Sequence, residues 1–244
     1  MFIRICDLEI EIQNRYAFLE KMCKDYSVDF SENPAFSVAV SEEEIDEEKR
    51  ISQIEMNRGA YEATVVLRKI AGEMLKYDGV LIHSAVVSVD REGYAFMALS
   101  GVGKTTHTRL WEKYFEHSDH RFAYVNGDKP IYRFLDGRLY VYGSPWAGKE
   151  GYNTNCRVPV KGMCFIERGE KNEIVRISSL EASKRIFHQI LLPEGEKDMD
   201  FLFGTLNRIL ENVPFFRLKC DISAEAVSVS YGEMSKCGGK TDRI

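Results

Sequence analysis

The spacing of apolar and polar residues along the chain predicts strands and helices in an irregular order. Residues 2–10 alternate between apolar and polar positions, which predicts a strand, and residues 36–40 predict another short one. Residues 42–48 hold six acids, which is typical of a solvated helix start because carboxylates are stabilised at the positive end of a helix dipole. Residues 61–77 show helical spacing and end at an Asp-Gly stop signal. We therefore expect residues 1–78 to form a small accessory α/β lobe.

The pattern changes after this lobe, where buried strands become frequent. Residues 80–89 are a β-branched run, and residues 94–99 form an almost wholly apolar strand that leads directly into a glycine loop. The pattern predicts further strands and three helices, at residues 105–115, 122–125, 131–135, 139–142, 162–167, 173–177, 178–190 and 198–210. We expect an α/β (α+β) domain over residues 79–232, followed by a flexible tail at residues 233–244.

The amino-acid composition and the net charge restrict the classes of partner that we expect for this protein. The net charge is −5 and basic residues form no run, which argues against nucleic acid as the main partner. No apolar stretch approaches the roughly 20 residues that span a bilayer, and the N-terminal segment lacks a signal-peptide core. Six cysteines occur without a CxxC pair, so zinc-knuckle and thioredoxin-type sites are excluded. We expect a cytoplasmic protein with reduced thiols and no membrane partner.

The glycine loop, residues 100–106, is the strongest chemical signal in the sequence. It lies between a predicted strand and a predicted helix, the context in which backbone N–H groups and a helix N-terminus bind phosphate. A lysine at this position reaches the β- and γ-phosphates, and the next threonine hydroxyl can ligate Mg²⁺. Ala98 stands where the usual P-loop pattern has its first glycine, and a purely structural turn is the alternative. We predict ATP and Mg²⁺ as cofactors, bound by Ser100, Gly101, Val102, Gly103, Lys104, Thr105 and Thr106.

This loop carries a family resemblance. Residues 98–106, with the sequence ALSGVGKTT, resemble the loop of ATP-dependent phosphoenolpyruvate carboxykinases, and SGVGK also matches HPr kinase/phosphorylase. The two families share a P-loop fold that is distinct from the Ras-like and RecA-like folds. The resemblance covers residues 79–230, is carried by short motifs and leaves out the acidic first lobe. It implies a P-loop core with a mixed sheet of this type.

The resemblance also implies roles for residues outside the loop. Both families place a histidine on the strand before the P-loop strand, and here that is His83. Both end the strand after the P-loop helix in an acidic cluster, which Asp128 matches, although relatives carry two aspartates there. Arg157 matches a carboxykinase arginine that contacts the transferring phosphoryl group. The implied catalytic residues are Asp128, His83, Lys104 and Arg157, and the implied metal ligands are Thr105, Asp128 and His83. From the residues alone, two alternatives stay open: His83 as a packed core histidine and Asp128 as a plain turn aspartate.

Residues 143–153 predict a loop near a site, because they are rich in glycine and polar side chains and lack periodicity. Lys149 and Trp146 are the candidate substrate-binding residues, the lysine as a clamp on a phosphate. The alternatives are an exposed lysine and a tryptophan that anchors the loop to the core. The other histidines get no functional role, and His107 is predicted at the surface.

These residues favour an ATP-dependent kinase of the HPr-kinase-like class. It would transfer the γ-phosphoryl group to a hydroxyl of a small molecule or peptide, with Asp128 as the base. The first alternative is a non-catalytic nucleotide-binding regulator or partner protein. The second is a carboxykinase, which the chain length disfavours because carboxykinases are about twice this size. Whether the protein forms a homo-oligomer stays open.

Overall fold

A computed structural model describes residues 1–99, 101–193 and 195–237 and shows a mixed α/β fold with two β-sheets. Within these residues the strands are β1 (Phe2–Ile5), β2 (Leu8–Gln13), β3 (Ser27–Val28), β4 (Phe36–Ala39), β5 (Gly79–Leu81), β6 (Ala85–Val89), β7 (Glu92–Met97), β8 (Phe122–Asn126), β9 (Ile131–Leu135), β10 (Arg138–Tyr142), β11 (Arg157–Arg168), β12 (Glu173–Ile177) and β13 (Phe215–Cys220). The helices are α1 (Ala17–Met22), α2 (Glu42–Ile51), α3 (Arg58–Met74), α4 (Lys104–Phe115), α5 (Ser179–Ile186), α6 (Glu196–Asn212) and α7 (Ala224–Met234). No helix of the described residues is long and apolar enough to cross a membrane.

The first sheet has the strand order β3-β1-β2-β4. The single strand expected over residues 2–10 is a hairpin instead, because Cys6 and Asp7 both take positive φ angles, 56° and 59°, and reverse the chain. Helix α2 begins with a capping box between Ser41 and Glu44, which gives one of the acids at its start a structural role. Helix α3 packs against α1 and α2 and closes the core of this sheet.

The second sheet has the order β5-β9-β10-β11-β7-β6-β8, with β13 beside β11 and β12 beside β13. Strand β11 runs parallel to both β7 and β13, and the other pairings in this sheet are antiparallel. The sheet is therefore mixed. Strand β13 and helix α7 are elements that the sequence pattern did not reveal.

Strand β7 is buried on both faces, which explains why it is almost wholly apolar. Tyr94 and Phe96 pack with Trp111 of α4, whereas Ala95 and Met97 belong to the cluster that contains residues of α6. Because alternate strand residues point to opposite faces, helices cover the sheet on both sides of β7. The strand that leads into the glycine loop is thus held between two packed layers.

His107, expected at the surface, lies inside the protein with 3 % of its surface exposed. Its Nε2 accepts a hydrogen bond from the indole nitrogen of Trp111 at 3.0 Å, and its ring packs edge-on against Phe96. Burial lowers the pKa of His107 to about 4, so the ring is neutral at physiological pH. The prediction was wrong because the helical spacing places His107 on the face of α4 that packs on the sheet.

The expected tail begins within an ordered element. Helix α7 continues to Met234, so residues 233 and 234 are helical. Residues 238–244 lie outside the described residues, and so does that part of the tail prediction. The boundary at residue 78 stays a prediction, although the first sheet ends at β4 and the second sheet begins with β5.

Candidate active site

The glycine loop joins β7 to α4 and leaves the N-terminus of α4 open. Gly101 and Gly103 have φ angles of 77° and 126°, which side chains with a Cβ rarely adopt. Gly103 is the N-cap of α4, and among the described residues no side-chain cap is seen at this helix end. The first N–H groups of a helix have no partner within the helix, so those at Lys104, Thr105 and Thr106 can bind an anion. Ser100 lies outside the described residues.

A cleft of about 470 Å³ opens in front of this helix end. It brings together residues that are far apart in the sequence, from the segment before β6, the glycine loop, the turn after β8 and the loop after β10. The lining residues are His83, Leu99, Gly101, Gly103, Lys104, Thr105, Thr106, Thr108, Gly127, Asp128, Ala147, Gly148, Lys149, Glu150 and Tyr152. Of the predicted nucleotide-binding residues that are described, Val102 alone is absent from this lining; it contacts cavities on the other side of the loop.

His83 and Asp128 form a pair in the cleft, with 2.9 Å between Nε2 and Oδ1. His83 lies between β5 and β6 and not in a strand, which corrects the expected placement. Its backbone N–H donates to Gln189 at 2.7 Å, and the N–H of Ser84 donates to the backbone carbonyl of Asp128 at 3.1 Å. Backbone hydrogen bonds on both sides therefore fix the position of the pair.

The Asp128 carboxyl is held in its charged form. Burial by itself would raise its pKa, but the hydrogen bond from His83 and the positive charges of Lys129 and Lys104 outweigh burial, and the pKa lies below its ordinary value. Lys129 lies 3.9 Å from the carboxylate, measured from Nζ to Oδ1. An ionised carboxylate in this place can accept a proton or contact a cation.

Lys104 extends from the first position of α4 into the same cleft. Its Nζ donates to the carbonyl of Ala98 at 3.4 Å. Burial lowers the pKa of the Lys104 ammonium, and the charge of Asp128 partly opposes this effect. A half-buried cation beside an open helix N-terminus is favourable for an anionic ligand, because both contribute positive potential to one small volume.

Asn126 stands in the segment where the resembled families carry a second aspartate. It is fully buried, and its Oδ1 accepts hydrogen bonds from the N–H groups of Asp128 and Lys129, both at 2.8 Å. Its Nδ2 donates to the carbonyl of Ser144 at 2.9 Å. Asn126 thus fixes the turn that presents Asp128 and ties this turn to the neighbouring loop. Such turn-forming hydrogen bonds are typical of asparagine and could have been anticipated from the Asn-Gly-Asp sequence.

The loop after β10 forms the other wall of the cleft. Gly148 has a φ of 75°, and a Cβ there would lie 3.2 Å from the Cβ of Asp128. Arg109 of α4 holds this wall through an ion pair of 2.6 Å with Glu150 and a hydrogen bond of 3.2 Å to the Tyr152 hydroxyl. The wall is therefore attached to the helix that begins at the glycine loop. No motif or pattern in the sequence pointed to Arg109.

Trp146 is not among the lining residues of the cleft. It is 9 % exposed, belongs to the core of the first sheet and donates from Nε1 to the carbonyl of Ala63 in α3 at 2.9 Å. The structure thus places it as the buried anchor that was the alternative interpretation. Lys149, three residues later, does line the cleft.

Arg157 is not brought to the cleft either. It is the first residue of β11, where its guanidinium pairs with Asp7 and lies 5.2 Å from the ring centre of Tyr140. The physical reason is strand direction. Because β11 runs parallel to β7, its C-terminal residues and not its N-terminal ones run alongside the glycine loop. Arg168 at that C-terminal end contacts the loop, and no motif in the sequence pointed to it.

The residues in the cleft fit a magnesium ion that is shared with phosphates. Among the described residues, no group of three or more His, Cys, Asp and Glu side chains is arranged to hold a metal ion. Mg²⁺ is usually bound by one or two carboxylates, waters and substrate phosphates, and not by an all-protein cage. Thr105 and Asp128 would supply the protein oxygens in this arrangement, with His83 supporting the carboxylate.

The chain is similar to known proteins only at a distant structural level. No family model matches the chain, and a search of curated proteins finds no match. Among solved structures, the chain is similar to the HPr(Ser) kinase/phosphatase from Coxiella burnetii, with 10% sequence identity and a TM-score of 0.37 over 64% of this chain and 97% of that chain. This likeness is too distant to indicate a function, and the functional conclusion depends on the geometry of the cleft.

Proposed function

We propose that this protein is an ATP-dependent phosphotransferase that uses the glycine loop as a P-loop. The observation that carries the proposal is the convergence of an open helix N-terminus, Lys104 and the His83–Asp128 pair on one cleft. Phosphoryl transfer depends mainly on positioning and on stabilising charge, and these groups supply both. The distant likeness to a kinase/phosphatase agrees with this function but adds no weight.

The residues divide into binding and proton-accepting roles. The N–H groups of the glycine loop and the ammonium of Lys104 would bind the β- and γ-phosphates. Asp128, held ionised by His83, would accept the proton of the attacking hydroxyl. Bound Mg²⁺, held by Thr105 and Asp128, would neutralise charge on the phosphate oxygens. Arg157, assigned to charge stabilisation from the resemblance, has no part in this proposal because it pairs with Asp7.

We propose a hydroxyl of a small molecule or short peptide as the acceptor. The cleft of about 470 Å³ suits a compact ligand, and Lys149 on its rim suits a ligand with a carboxylate or phosphate. The predictions of a cytoplasmic location, of no nucleic-acid or membrane partner and of a possible homo-oligomer stay predictions. A carboxykinase activity gains no support from the cleft.

One observation favours the non-catalytic alternative. Asn126 is a structural residue where relatives of the resembled families carry an aspartate, so the cleft has a single carboxylate in this turn. A nucleotide-binding regulator would need only the loop and Lys104, and would tolerate this loss.

Transfer of labelled phosphate from ATP to a panel of hydroxy compounds and peptides tests the proposal. We expect Asp128→Asn to lower turnover by about 10²–10⁴-fold, the usual loss when a general base is removed, while ATP affinity changes little. The matched control is Asp119→Asn, which makes the same chemical change at an exposed position. Full activity of Asp128→Asn would falsify the role of base, and ATP binding without transfer to any acceptor would favour the regulator.

A further inference from the structure

Arg168 contacts the backbone of the glycine loop from outside the cleft. Its Nη2 donates to the carbonyl of Gly101 at 2.7 Å, and its Nε approaches the carbonyl of Val102 at 3.4 Å. Arg168 lines two cavities behind the loop, which share Gly101 and Val102 as walls, but it does not line the cleft that holds Asp128. Arg168 therefore reaches the two carbonyls from these cavities and not from the cleft.

The direction of a carbonyl decides the direction of the next N–H. In a trans peptide these two groups point in opposite directions, and no peptide bond of the described residues is cis. The hydrogen bond from Arg168 to the Val102 carbonyl thus directs the N–H of Gly103 away from Arg168, and Gly103 lines the cleft. Within the loop, the N–H of Val102 donates to the Leu99 carbonyl at 3.2 Å, but Gly103, with a φ of 126°, has no side chain that could keep its own N–H in this orientation, so a contact from outside the loop adds a restraint.

Arg168 is well placed to supply that restraint because its own backbone is fixed. It is the last residue of β11, where it pairs in register with Cys220 of β13, and the next N–H, of Gly169, donates to the Cys220 carbonyl at 2.9 Å. Parallel pairing with β7, as far as Phe165 opposite Met97, carries the end of β11 past the end of β7 and alongside the loop. A guanidinium also offers several donors in a fixed plane, which suits two successive carbonyls.

We propose that Arg168 is a positioning residue that holds the glycine loop in its phosphate-binding conformation by binding the carbonyls of Gly101 and Val102. This inference rests on the proposed function, because it assumes that the loop binds phosphate. Arg168 acts on the loop and not on the nucleoside. Its effect is therefore the same for any ligand that binds through its phosphates.

Calorimetry with inorganic tripolyphosphate and with ATP, each with Mg²⁺, tests the proposal on the full-length protein. We expect Arg168→Gln to weaken both ligands by the same factor, about three- to tenfold, which corresponds to the loss of roughly one hydrogen bond. Arg168→Lys keeps one donor group and should recover part of the affinity for both ligands. Thermal unfolding verifies that each variant is folded.

Arg185→Gln is the matched control. Arg185 lines one of the same cavities and pairs with Glu167 at 2.7 Å, so its loss removes an equal charge beside Arg168. Weakening of ATP alone in Arg168→Gln would show a contact with the nucleoside and overturn the proposal. Unchanged affinities in Arg168→Gln would overturn the proposal as well. So would an equal loss of affinity in Arg185→Gln, because it would show that any nearby positive charge has the same effect.

Lys104→Ala separates this proposal from the proposed function. If Lys104→Ala loses affinity for tripolyphosphate while Arg168→Gln does not, the phosphate-binding loop stands and the positioning role falls. If the folded wild-type protein binds neither tripolyphosphate nor ATP, both proposals fall.

Discussion

The cleft and the junction between the two sheets both collect charged and aromatic side chains, but they differ in how these groups are satisfied. At the junction Asp7 accepts from Arg157 and from the Tyr142 hydroxyl, and the Trp146 indole donates to Ala63. In the cleft, the helix N-terminus is open and Lys104 reaches one carbonyl at 3.4 Å. Groups that the protein satisfies itself hold the fold together, whereas groups that it leaves open are available to a ligand.

The largest effect that tests this comparison is expected from a substitution of Trp146. We expect Trp146→Ala to lower the free energy of unfolding by about 3–5 kcal/mol, because it removes a buried ring and leaves a cavity. ATP affinity of the folded variant should not change, since Trp146 contacts α3 and not the cleft. Denaturant unfolding and calorimetry measure the two effects. A stable variant with weakened acceptor binding would instead return Trp146 to the substrate site, and Trp146→Phe serves as the control that keeps a ring.

The opposite pattern is expected at Lys104. Lys104→Ala should weaken binding of Mg·ATP at least tenfold, about 1.4 kcal/mol, because it removes a charged phosphate contact. Its unfolding free energy should change little, because the ammonium makes one long hydrogen bond in the folded protein. Lys113→Ala, at an exposed position on the same helix, is the control. Unchanged affinity and unchanged turnover in Lys104→Ala would remove the basis for a P-loop.

The smallest effect is expected at Arg157. Its ion pair with Asp7 is exposed, so Arg157→Gln should cost less than about 1 kcal/mol of stability. Because the guanidinium lies at the junction, phosphate transfer should continue at the wild-type rate. Unfolding curves and a transfer assay on the same preparation decide the point. A collapse of turnover without loss of stability would mean that Arg157 reaches the reacting phosphate after all, as the resemblance implied.

Local sequence patterns were sufficient to predict most secondary-structure elements around the cleft. The apolar run of β7, the glycine loop and α4 were all predicted, because each is specified by residues adjacent in the chain. The same holds for the β9–β10 hairpin around Asp136-Gly137. By contrast, His83 was placed in a strand because it falls within the run of residues 80–89, which is rich in β-branched side chains, and because the resembled families have a histidine on the corresponding strand. The structure interrupts that run, since the His83 N–H bonds to Gln189, a residue more than a hundred positions away.

The sequence by itself determined the chemistry that this protein can offer: an open, glycine-rich helix start with a lysine and two threonines, and one aspartate in a turn. Only the tertiary structure decided which distant residues join it. Arg157 and Arg168 occupy the two ends of one strand, and nothing in their local sequence distinguishes a partner of the glycine loop from a partner of Asp7. Parallel pairing of β11 with β7 makes that choice, because a strand's direction relative to its neighbour decides which of its ends lies beside the loop.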